Sequence, residues 1–128
     1  MTTPGQPPPP VTTYEAIRGQ VLREVRNARG LGQGEMARRA GVTQPYWSKV
    51  EQGQANPSDA VLRRASEQLG LRYSDLIART EDVCEAARSR GVNVVNRDES
   101  PEMEWRPWLA AAAIGALVAI VLTKGGGE

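Results

Sequence analysis

Apolar side chains recur every three or four positions from Tyr14 to Gly91, and the pattern is broken by glycines. Ile17, Val21, Leu22, Val25 and Ala28 make one stripe and predict a first helix from about Tyr14 to Arg29, ended by Gly30. Leu31 then turns inward, and a second helix opens at Gln33 and closes at Gly41. A third runs from Gln44 to about Gln52 and stops at Gly53. After the turn Asn56-Pro57-Ser58, with Ser58 as N-cap, Val61, Leu62, Ala65 and Leu69 form the stripe of a fourth helix, ended by Gly70. Ser74 is placed to cap a fifth. Its stripe of Leu76, Ile77, Val83, Cys84 and Ala87 continues toward Gly91. That stripe has two open readings, packing on its own domain or contact with a second copy.

The spacing within Gln33–Gly53 is the most specific. Met36, Ala40, Val42, Trp47 and Val50 are apolar where two crossing helices bury side chains, and Ala37 is small at their closest approach. Gly41 falls in the turn, where a left-handed backbone is needed. Thr43 is a natural N-cap, and Pro45 sits in a first turn where a missing N–H costs nothing. The pattern is that of a helix-turn-helix, whose second helix enters the DNA major groove.

The flanks read differently. Residues 1–13 are rich in proline and carry no charged side chain, so they are expected to be a disordered, partly polyproline II leader. Val92–Val95 alternate weakly, as a short edge strand does, within a polar, acidic linker over 92–107. Residues 108–123 (WLAAAAIGALVAIVLT) then hold no charge at all. A helix of that length spans about 24 Å, short of the ~30 Å hydrocarbon core of a bilayer. Trp105, Trp108, Arg106 and Lys124 at its ends suit a membrane interface, so the segment is read as a transmembrane helix, with a bundle of several soluble chains as the competing reading. Ala111, Gly115 and Ala119 are four apart, a spacing that lets two helices approach closely in lipid. Residues 124–128 are a short tail. The expected architecture is therefore all-α: a compact five-helix domain over 14–91 and a single C-terminal helix.

Charge sharpens the functional reading. The net charge is +1, but residues 14–79 hold eleven Lys/Arg against seven Asp/Glu, while residues 80–128 hold five against eight. The basic half fits a polyanion. There is no histidine and one cysteine, Cys84, so neither an internal disulfide nor a Cys/His metal site can form. No nucleophile–base pair or phosphate loop is visible; the glycines of 30–34 follow a helix rather than a strand. The chain is read as a non-enzyme without cofactor or metal.

Residues 18–79 resemble the Cro/repressor-type helix-turn-helix family, the xenobiotic-response-element class. The likeness lies in GLGQ before the second helix, the Ala37/Gly41 pair, the VEQG end of the third helix, the NPS turn and VLRRASEQLGL. It implies a five-helix bundle that binds operator DNA, usually as a dimer. By position, Gln33 is expected on a backbone phosphate, and Thr43 and Gln44 begin the recognition helix. The Gln44 amide would meet a base edge, where Gln suits adenine. Tyr46 and Lys49 are expected one turn apart on its exposed face, with Gln52, Gln54 and Asn56 along the strand beyond. Arg26 and Glu51 match a structural ion pair of the family.

The departures are Pro45, where a base contact is common; Trp47, bulkier than the usual aliphatic residue and with an N–H to satisfy; and Gln54, neutral where a basic residue is common. The expectation is a homodimeric DNA-binding regulator at a bacterial inner membrane, single-pass, with its N-terminal domain cytoplasmic. Two alternatives stay open. One is a membrane-tethered scaffold of the RodZ type, binding an actin-like filament. The other is an antitoxin-like autorepressor whose C-terminal segment meets a protein.

Overall fold

The computed structural model describes residues 10–97 and Val118. In chain order these residues form β1 (Val11–Thr13), α1 (Tyr14–Ala28), α2 (Gln33–Ala40), α3 (Gln44–Glu51), α4 (Asp59–Gln68), α5 (Tyr73–Ser89) and β2 (Asn93–Val95). Side-chain caps start three of the helices. Thr13 accepts from the Ala16 N–H at 3.1 Å, Thr43 from Tyr46 at 3.3 Å and Ser58 from Val61 at 3.3 Å. The fifth helix begins earlier than a Ser74 cap implies. The Asp75 carboxylate accepts the Arg72 N–H at 3.0 Å, so Arg72 takes the cap position.

α1 packs on α5 and α3, and α2 packs on α3 and α4. Ile17, Leu22, Met36, Trp47, Leu62, Leu69 and Leu76 are fully buried at the centre. Leu31 and Val42 lie half-buried at its edge. The α5 stripe is used internally, with Leu76, Val83, Cys84 and Ala87 buried and Ile77 half-buried. Ala28, the last member of the predicted α1 stripe, is exposed. α1 ends there, while Val25 and Arg26 in the same turn are buried.

The all-α expectation is corrected by a small sheet. Val11–Thr13, assigned above to the leader, pair in parallel with Asn93–Val95, in the register Val11–Asn93, Thr12–Val94, Thr13–Val95. The edge strand sensed at 92–95 thus has a partner in what reads as a tail. Thr12 and Thr13 are buried, which requires their backbone polar groups to be paired, and β2 supplies the pairing.

The predicted transmembrane segment at 108–123, with Ala111, Gly115 and Ala119, lies outside the described residues, Val118 apart. Val118 is helical, buried and part of the apolar core cluster. Among the described residues no helix is long and apolar enough to cross a membrane.

Candidate nucleic-acid interface

The site is built on α2 and α3 and the turn between them. Gly41 makes that turn with φ +76°. Its N–H reaches the Arg38 carbonyl, and Val42 N–H reaches Ala37 O at 2.9 Å, closing α2. α3 can then start at once, behind its Thr43 cap. Met36, Ala37, Ala40, Trp47 and Val50 bury the inner faces of both helices.

One buried carboxylate fixes how these helices sit on α1. Glu51 accepts from Arg26 Nε at 2.6 Å and Arg26 Nη2 at 3.0 Å. It also accepts from Gln33 Nε2 at 3.0 Å and from Trp47 Nε1 at 2.5 Å. Arg26 further donates to the Leu31 carbonyl at 2.7 Å. The indole N–H that departs from the usual aliphatic residue therefore has a charged acceptor within its own helix. Gln33 is turned by the same acceptor. One amide hydrogen goes to Glu51, and the second is not used in that bond.

The outward face carries few charges. Thr43, Gln44, Pro45, Lys49 and Gln52 are exposed along α3. Tyr46 is not fully on that face: it is half-buried and packs against the core cluster, because its ring covers the apolar edge of the bundle. Gln52 Nε2 donates to Ser48 Oγ at 3.2 Å, which ties it to its own helix. Gln44 lies across the start of α2, where a Cβ at Gly34 would sit 3.9 Å from its Oε1. Gly32, the N-cap of α2, has no side chain to cap with, and a Cβ there would meet nothing within 4 Å. Farther along α2, Arg38 and Arg39 close on Glu35 at 2.6 and 2.9 Å. Their hydrogen bonds hold that carboxyl below the usual range, and part of their charge is spent there.

The loop after α3 is fixed from three sides. Gln54 and Ala55 N–H groups both point to the Lys49 carbonyl, at 2.8 and 3.3 Å. Arg18 Nη2 donates to Asn56 Oδ1 at 3.2 Å, and Asn56 is exposed, with its amide N–H groups unused in that bond. Arg97 Nη1 donates to Gly53 O at 3.3 Å. Arg18 and Arg97 escaped sequence reasoning. Arg18 is a buried arginine whose partner lies 38 residues away, and nothing local marks it as such.

The geometry is that of a helix-turn-helix, and the comparisons agree. Residues 19–79 match the family described as helix-turn-helix domain. The HTH-type transcriptional regulator y4dJ of Sinorhizobium fredii is 31% identical over 64 residues, which cover 50% of this chain and 83% of that protein. The chain belongs to the helix-turn-helix family. Its fold is similar to the crystal structure of the clp gene regulator ClgR from Corynebacterium glutamicum, with a TM-score of 0.58 at 22% identity, covering 60% of this chain and 82% of that one.

Proposed function

We propose that the chain is a sequence-specific DNA-binding transcriptional regulator of the Cro/repressor type, acting as a homodimer. One observation carries the reading. The Gln33 and Asn56 side chains are each held from inside the domain, by a hydrogen bond to Glu51 and one from Arg18, beside an exposed α3, and each amide keeps N–H donors that these bonds do not use. Such donors suit backbone phosphates, which position a recognition helix without reading sequence. Gln44 is then the base-reading side chain, and Lys49 supplies the charge on α3. With Arg38 and Arg39 engaged by Glu35 and Gln54 neutral, affinity rests on few ionic contacts, so its salt dependence is shallow for the class.

Selection of duplexes from a random pool by the full-length chain in mild detergent tests this. Gln44→Ala should broaden the selected sequence. Lys49→Ala should weaken all duplexes alike and reduce the salt slope by about one. Failure to enrich any duplex at low salt overturns the reading. Sedimentation with and without the selected duplex tests the dimer.

We further propose that residues 108–123 hold this regulator at the inner membrane, on the strength of a charge-free run with Trp105 and Trp108 at one end and a single basic residue on either side, Arg106 and Lys124. Burial of Val118 with the domain's apolar cluster favours a second reading, in which the segment lies on its own domain. Flotation with liposomes and resistance to alkaline extraction support the anchor. Recovery as a soluble protein supports the second.

A further inference from the structure

The chain leaves β2 beside the end of the recognition helix. β1 and β2 run in the same direction, with Thr13 opposite Val95, so the chain emerges next to the first turn of α1. Arg97 lies two residues on. Its backbone N–H donates to Glu15 Oε2 at 3.2 Å, and its Nη1 donates to the Gly53 carbonyl at 3.3 Å. Gly53 ends α3 with φ +75°, and a Cβ there would lie 2.6 Å from Ala16 Cα. The first turn of α1, the end of α3 and the outgoing C-terminal segment therefore meet at one point. Gln54 and Asn56 follow directly.

We propose that Arg97 is a positioning residue for the loop 53–56, so that zipping of the β1–β2 pair sets how well that loop is ordered for DNA. The proposal rests on the reading that this loop faces a phosphate backbone. Ala55 packs on the core cluster and the Gln54 and Ala55 N–H groups return to the Lys49 carbonyl, while Gln54 is half-buried and Asn56 exposed. The two ends of the loop are held by the side-chain bonds to Gly53 O and Asn56 Oδ1. The one from Arg97 is charge-assisted and comes from a segment 44 residues away. The β1–β2 pair is only three residues long, so few ladder hydrogen bonds hold it closed.

The test uses the full-length chain with Arg97→Ala and Arg97→Lys. Without DNA, Arg97→Ala should speed amide exchange at Gln54 and Ala55 while α2 and α5 amides keep their rates. Affinity for the selected duplex should fall roughly three- to tenfold, as for loss of one hydrogen bond. Arg97→Lys should recover part of both effects. In a Gln54→Ala/Asn56→Ala background, Arg97→Ala should cost no further affinity. Unchanged loop exchange overturns the proposal. So does an affinity loss that shallows the salt slope while exchange stays fixed, which would make Arg97 a direct phosphate contact. If the wild type selects no duplex, the functional reading fails while the exchange experiment still decides whether Arg97 orders the loop.

Discussion

Four hydrogen bonds converge on Glu51, and they differ in what their loss leaves behind. Glu51→Gln puts an amide against the Arg26 guanidinium, which keeps its charge and is only 8% exposed. Breaking one side of a buried pair in this way costs about 3–5 kcal/mol. Trp47→Phe removes one donor and keeps an aromatic ring in the core, and Glu51 retains its bonds to Arg26 and Gln33. That change should cost about 1–3 kcal/mol. Urea midpoints at neutral pH should therefore order as wild type, then Trp47→Phe, then Glu51→Gln, and equal losses would show that the indole is as central as the ion pair. Gly34 should respond in the opposite sense. It lies inside α2, and an added Cβ would make only ordinary contact, 3.9 Å from Gln44 Oε1, so Gly34→Ala should stabilise the domain by up to about 1 kcal/mol. Melting curves check this, and a loss of stability would mean that the start of α2 is more crowded than the geometry indicates.

Among the described elements, α1 comes very close to the end of α3 at Gly19. A Cβ at Gly19 would stand 2.4 Å from the Glu51 carbonyl oxygen, a backbone atom that cannot yield locally. Gly19→Ala should push the helices apart and cost about 1–3 kcal/mol by overpacking. Gly30→Ala meets nothing within 4 Å and carries only the left-handed backbone penalty at φ +70°, about 1–2 kcal/mol. Gly19→Ala should also weaken DNA binding beyond its effect on stability, because α3 itself is displaced; gel shifts on fully folded variants check it.

The same elements mark what could be read in the sequence. The five helices were legible because each carries its own apolar period and most carry their own cap. The helix-turn-helix was legible because Ala37, Gly41 and Thr43 answer local needs of sterics and backbone. The β1–β2 pair was not. A strand of three residues has too short a period to register, and Val11–Thr13 is completed only by a segment some 80 residues later. Arg18 and Arg97 were hidden for the same reason, since each acts on a loop far away in sequence. Tyr46 is placed on the exposed face by its position in the family resemblance, which says nothing of how far the bundle edge extends beneath its ring.

Over the molecule as a whole, burial couples folding to alkaline pH. The Cys84 thiol lies in the core, and burial pushes its pKa from 9.0 to about 11, with the nearby Glu81 acting in the same direction. Burial likewise pushes Tyr14 from 10.0 to about 12, again with Glu81 adding to it and Arg18 opposing it. Both groups are neutral when protonated, and both hold their protons more tightly in the folded chain. Below pH 9 each is protonated in both states, and this contribution to stability is fully present. As pH climbs past the unfolded values, the unfolded chain ionises first and gains free energy that the folded chain does not. Stability should therefore fall from about pH 9 upward, first through Cys84 and then through Tyr14, until the folded groups ionise as well. Cys84→Ala removes the earlier step. Its urea midpoint should start lower at pH 7.5, because a core side chain has shrunk, yet decline less than that of the wild type between pH 8.5 and 10. Parallel declines would show that the thiol is reached by solvent in the folded state. They would also place the alkaline weakness elsewhere, with the β1–β2 closure beside Glu15 as the next segment to follow by amide exchange.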